Sequence, residues 1–171
     1  MSAHPAGFSE VELARDCVIT RGRSSGPGGQ RRNKVETAVK VMHKSTGIAA
    51  QSGESRSAEE NRRRALRRLR VQLALDVRTT VDPASYAPSE LLKGRTLNGR
   101  LALNPRHTDF PTLLAEALDL LAGVHDDVVR AATLMGLTTS QLVRLLGYEP
   151  EALTRVNRPR KESGLAAYRP R

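Results

Sequence analysis

A chain of 171 residues has room for one sizeable domain or two small ones. Its net charge of +10 and pI near 10.8 point to a polyanionic partner. The single Cys17 rules out an intrachain disulfide and a multi-cysteine metal site, and no apolar run is long enough to span a bilayer. With no tryptophan, three tyrosines and two phenylalanines, the core must be mostly aliphatic. The N-terminus has neither a basic-then-apolar signal pattern nor the arginines of a transit peptide, so a cytoplasmic protein is expected.

In chain order, Ser9-Glu10-Val11-Glu12 has capping-box spacing and predicts a short helix through Ala14. Cys17, Ile19 and Arg21 alternate with Val18 and Thr20, so residues 16–23 read as a strand. It runs into a glycine-rich turn. Past that turn, Val35, Thr37, Val39 and Val41 fall on one side and Glu36, Lys40 and Met42 on the other, a second half-buried strand. Thr46-Gly47 signals a turn, with residues 48–52 returning as a third strand. Ser57-Ala58-Glu59-Glu60 is another capping box, opening a helix over 57–75 whose Ala65, Leu66, Leu69 and Leu73 form an apolar stripe.

Residues 76–108 are punctuated by Pro83, Pro88, Gly94, Gly99 and Pro105, with one short strand at 100–103. Helical pattern resumes at 110–122, where Leu113, Leu114, Ala117, Leu118 and Leu121 line a face. It continues at 126–135, 138–146 and 150–157. Ala132, Gly136, Leu137, Thr138 and Leu142 have helix-turn-helix spacing. The expected organisation is a domain over 1–78, a linker over 79–108, a helical helix-turn-helix-like module over 109–154 and a basic tail over 155–171. The tail mixes Arg, Lys, Pro, Ser and Gly, and is expected to be disordered when unbound. Residues 1–78 hold 16 basic and 8 acidic groups, 79–154 hold 6 and 9, and 155–171 hold 6 and 1. Nucleic-acid contact is therefore expected at both ends, through Arg155, Arg158, Arg160 and Lys161 in the tail. The acidic middle is a poor duplex reader: Thr139, Ser140, Gln141 and Arg144 offer one cation, whereas duplex affinity comes mostly from phosphate neutralisation. Packing, or docking of an unidentified protein, suits it better.

The most informative stretch is Arg23-Ser24-Ser25-Gly26-Pro27-Gly28-Gly29-Gln30. Glycines let a backbone approach a substrate where a Cβ would obstruct. Gln30 can donate and accept hydrogen bonds but cannot serve as a general acid or base. Such a site works by positioning and by backbone N–H groups. Together with Asn33-Lys34-Val35 and His43-Lys44-Ser45-Thr46-Gly47-Ile48, this stretch closely resembles the catalytic domain of class I peptide-chain release factors. It also resembles the related codon-independent peptidyl-tRNA hydrolases that rescue stalled ribosomes. The resemblance covers roughly the first 75 residues.

It implies a small antiparallel sheet covered by a helix, so that with the helical module and tail read from the residue pattern the expected fold is α+β. It implies hydrolysis of the peptidyl-tRNA ester on the ribosome, with Gly28, Gly29 and Gln30 as the catalytic tip and Arg23, Ser24, Ser25, Gly26 and Pro27 shaping the loop. Asn33 and Lys34 match family positions that contact rRNA, and Arg56 fits a basic position before the helix. Arg31 and Arg32 replace the family's small polar or imidazole residue and apolar residue, adding charge for phosphate, and Ala58 replaces an amide. The arginines of the helix, including Arg63, Arg67 and Arg68, have no acidic partner on their C-terminal side and read as phosphate contacts. No cofactor and no metal is implied: His4, His43, His107 and His125 show no ligand spacing, and Cys17 reads as core. Asp126-Asp127 reads as a helix cap rather than an acid/base pair. The chain has no room for codon-reading domains and no stretch resembling their motifs. The expected partners are thus rRNA, P-site peptidyl-tRNA and a vacant mRNA channel, for a monomer with no membrane contact. The alternative is a non-catalytic ribosome- or RNA-binding factor that works through the helical module.

Overall fold

The computed structural model describes residues 4–22 and 37–170. The chain forms two compact units that divide between Asp76 and Val77.

The first unit opens with a 3-10 turn, Pro5–Gly7, and the helix α1 (Glu10–Arg15). The capping box is complete: Ser9 Oγ accepts the Glu12 N–H at 3.3 Å and the Glu12 carboxylate accepts the Ser9 N–H at 2.9 Å. Strands β1 (Cys17–Gly22), β2 (Ala38–His43) and β3 (Ala49–Ser52) form an antiparallel sheet in the order β1-β2-β3. Cys17 pairs with His43 and Gly22 with Ala38 at the two ends of the first ladder. The second ladder runs from Val39–Ser52 to Met42–Ala49. The turn between β2 and β3 needs Gly47 at φ +70°, and Thr46 Oγ1 lies 2.9 Å from the His43 Nδ1.

Strand alternation sends Val39, Val41, His43 and Ser52 to one face, where all are buried. The long helix α2 (Ala58–Asp76) covers that face, and its Ala65, Leu66, Leu69 and Leu73 have no exposed surface. Each such leucine contributes about 2 kcal/mol by leaving water. The opposite sheet face is open, with Val18 and Met42 exposed.

Two details of α2 differ from the sequence reading. Ser57 Oγ accepts the Glu60 N–H at 3.2 Å, but the Glu60 carboxylate turns to the Ser55 hydroxyl and Arg64 instead of closing the box. Arg70 is not on the solvent face with the other arginines. It is only 6% exposed and its Nε donates to the Ala6 carbonyl at 2.9 Å, tying the N-terminal turn to the helix.

The second unit contains α3 (Glu90–Arg95), a two-stranded hairpin of β4 (Thr96–Leu97) and β5 (Arg100–Leu101), and the helices α4 (Phe110–Gly123), α5 (Val128–Leu134), α6 (Thr139–Gly147) and α7 (Pro150–Glu162). The expected linker over 79–108 is instead part of this unit. Carboxylates of α4 hold it. Glu116 accepts the Tyr86 hydroxyl at 2.8 Å and the Ser89 N–H at 2.9 Å, and buried Asp119 accepts the Thr79 N–H at 3.1 Å. A helix surrounded this way buries more than one stripe, so Ala115 and Leu120 join Leu113, Leu114, Ala117, Leu118 and Leu121 in the core.

The expected disordered tail is also ordered. Residues 155–162 continue α7, and the chain then turns back at Gly164, φ +70°. Tyr168 exchanges two backbone hydrogen bonds with the Asn157 side chain, at 3.0 and 2.8 Å. The Arg160 guanidinium lies 4.0 Å above its ring. The Arg160–Tyr168 stack and the Asn157 bonds are contacts that composition does not reveal.

Candidate functional site

The catalytic tip expected at Gly28, Gly29 and Gln30, with its flanks from Arg23 to Lys34, lies outside the described residues. Its two ends are described. Gly22 and Ala38 are the last pair of the β1–β2 ladder, so the intervening segment leaves and re-enters the sheet at adjacent positions. The re-entry point is fixed from below by Asn61 on α2, which has no exposed surface. Its Nδ2 donates to the Thr37 carbonyl at 2.7 Å and to the Ser55 carbonyl at 2.8 Å. Its Oδ1 accepts the Ser55 N–H at 2.9 Å, with the Ser52 hydroxyl 3.2 Å away. Every donor and acceptor of this buried amide is engaged. One side chain thereby joins the base of the glycine segment to the β3–α2 turn. The sequence reading passed over Asn61. The available signal was a polar residue four positions before Ala65, in phase with the apolar stripe.

The arginines form a surface more neutralised than expected. Glu54, Glu59 and Glu60, from the N-terminal side, supply the acidic partners missing on the C-terminal side. Arg62 and Arg63 lie 3.5 and 3.7 Å from Glu59, and Arg64 contacts Glu60. Arg68 Nη1 donates to both the Gln51 carbonyl and the Glu54 carboxylate, each at 2.7 Å. The Ser52 hydroxyl, then Arg68, hold the Glu54 carboxyl down to about 2. These pairs are solvent-exposed and individually weak, on the order of 0–1 kcal/mol. An incoming phosphate can replace them at little cost. Arg56 is exposed and Arg67 half-buried.

In the second unit the candidate recognition residues serve the fold. Gln141 closes a capping box with Thr138 and donates to the Gly99 carbonyl at 2.8 Å. Arg144 Nε donates to the Tyr148 hydroxyl at 3.1 Å. Asp127 caps α5 through the Val129 and Arg130 N–H groups, at 3.1 and 3.0 Å. Of the tail cations, Arg155 pairs with Glu151 and Arg160 donates to the Ala166 carbonyl, whereas Arg158 and Lys161 are exposed. Cys17 is buried, and burial, with Asp16 adding, pushes its thiol above the usual range, which disfavours a nucleophilic role. Among the described residues no group of side chains could hold a metal ion, and no helix is long and apolar enough to cross a membrane.

The RF-1 domain family matches residues 9–93, from the first capping residue through the sheet, α2 and the start of α3. The chain belongs to the class I peptide-chain release factor superfamily. Peptide chain release factor 1 of Chlorobaculum tepidum is 37% identical over 103 residues, 60% of this chain and 28% of that protein. The Caulobacter vibrioides protein of the same name is 36% identical over 103 residues, again 60% and 28%. That of Chloroherpeton thalassium is 51% identical over 65 residues, 37% of this chain and 18% of its own. The chain thus spans less than a third of the length of these relatives. The RF-1 match also crosses the unit boundary at Asp76, so its last residues belong to the α4-bound segment of the second unit.

Proposed function

We propose that this protein hydrolyses the ester of peptidyl-tRNA on the ribosome, without a stop codon, and so frees stalled ribosomes. The observation that carries the reading is a Gly28-Gly29-Gln30 tip in an RF-1 domain, on a segment whose ends meet at the Gly22–Ala38 pair. In the reaction, water attacks the ester carbonyl carbon and the bond to the tRNA ribose oxygen breaks. That oxygen leaves with a proton as a hydroxyl. The Gln30 backbone N–H stabilises negative charge on the tetrahedral centre or on the leaving oxygen. The Gln30 side chain orients the water and excludes larger nucleophiles, while rRNA and tRNA supply the remaining surroundings. Arg23, Arg31, Arg32, Asn33, Lys34, Arg56, Arg63, Arg67 and Arg68 contact rRNA or tRNA.

The test is peptide release from ribosomes carrying an mRNA truncated at the P site, beside ribosomes halted at a stop codon. Release on truncated message alone is expected. Release confined to the stop codon would make the protein a termination factor; none on either would leave it a binding factor. Gly29→Ala should abolish most release with ribosome binding nearly intact, because the added Cβ hinders close approach in the transition state.

A further inference from the structure

The side of the first unit where β3 ends the sheet holds a depression of about 510 Å³, lined by Lys40, Ala49, Ala50, Gln51, Arg68 and Gln72. Lys40 and Gln51 are cross-strand partners on the open sheet face, and Arg68 and Gln72, four apart on α2, stand side by side. The floor is alanine and strand backbone. The walls are two cations and two neutral amides, and no carboxylate is among the described residues that line the depression. Among the described residues Arg68 is held through Nη1, with its Nε–H and both Nη2–H bonds turned to no other described group.

We propose that this depression is a cleft for single-stranded RNA, with Lys40 and Arg68 on a phosphate and Gln51 and Gln72 on the adjoining sugar hydroxyl or base edge. Its chemistry suits RNA: cations meet phosphate, amides reach 2′-hydroxyls and bases, and the shallow apolar floor admits a base face. An edge strand can also recruit a peptide strand. Here that is opposed by Arg68, which already occupies the outward carbonyl of Gln51. The proposal rests on the ribosome-bound reading above and adds to it a particular contact.

The experiment measures binding of the full chain to a labelled oligouridine of about 12 nucleotides, across about 50 to 200 mM salt. The variant Lys40→Glu/Gln72→Ala is compared with Arg130→Glu, an exposed site in the second unit with the same change in charge. Neither Lys40 nor Gln72 makes a side-chain hydrogen bond among the described residues, and thermal melting checks that both variants are folded. The cleft variant should weaken binding about tenfold and reduce the salt slope by about 0.7, the value of one lost phosphate contact on a single strand. Arg130→Glu should stay within about twofold. Equal effects of the two variants, or no effect of the first, would overturn the cleft. So would a glutamate-rich peptide that displaces the oligouridine from the parent protein but not from the cleft variant, since the site would then take protein. Peptide release by the same proteins separates the two readings. Cleft-dependent RNA binding without release sinks the hydrolase and spares the cleft, and release with unaltered RNA binding does the reverse.

Discussion

Asn61 is a residue whose importance comes from burial rather than reactivity. Asn61→Ala removes three direct hydrogen bonds and leaves the carbonyls of Thr37 and Ser55 without their donor. Orphaned buried polar groups cost about 1–3 kcal/mol each, so unfolding in denaturant should show a loss of about 3 kcal/mol. Peptide release should fall through kcat more than through KM, because the segment base is no longer fixed. Glu54 gives a pH signature. Its carboxyl is held at about 2 in the fold against 4.5 ordinarily. A depressed carboxylate stabilises the fold fully above pH 4.5, and that contribution is lost as pH falls towards 2. Stability of the parent should therefore drop more between pH 5 and pH 2.5 than that of Glu54→Gln. An identical drop would mean that the Ser52–Glu54–Arg68 contacts carry no stability.

At the level of elements, strand and helix positions in the first unit were legible because their apolar residues repeat every second or every third to fourth position. The proposed Gly-Gly-Gln tip consists of three adjacent residues and lies outside the described residues. Asn61 and Glu54 were not legible, because their meaning depends on partners that only folding brings near. The hairpin of β4 and β5 was half read. Asn98 and Gly99 both have positive φ, at 49° and 69°, the arrangement that an Asn-Gly pair favours in a two-residue turn. That signal stood in the sequence, but the surrounding prolines and glycines suggested a linker. Gly99→Val should destabilise the protein by about 1–2 kcal/mol through the left-handed backbone alone, as no atom lies within 4 Å of the missing Cβ. Thermal unfolding checks it; an unchanged midpoint would mean that the hairpin is dispensable.

Taken whole, the molecule pairs a family-assigned unit with a helical one whose cations are partly engaged. The proposed function makes the C-terminal segment the candidate for substrate choice. Because Arg155 and Arg160 are engaged within the fold, a channel-sensing role would rest on the segment's other cations, of which Arg158, Lys161 and Arg169 are exposed. Arg158→Glu/Lys161→Glu should leave thermal stability unchanged and reduce release on truncated messages, while a longer mRNA should compete with the parent protein. Equal release by variant and parent would remove Arg158 and Lys161 from substrate selection. Truncating the chain after Glu162 is a poorer test, because it also removes Tyr168 from Asn157 and Arg160.

The Gly22–Ala38 pair makes the segment between them a replaceable cassette. Both ends are set by the sheet and by Asn61. Exchanging residues 24–36 for Asn-Gly would keep Thr37 on Asn61 and leave a four-residue hairpin connection. A shorter connection costs less chain entropy, by about 1 kcal/mol, so the product should melt no lower than the parent. It would be an inert twin of the protein, still carrying its α2 arginines, against which every effect of the tip could be measured.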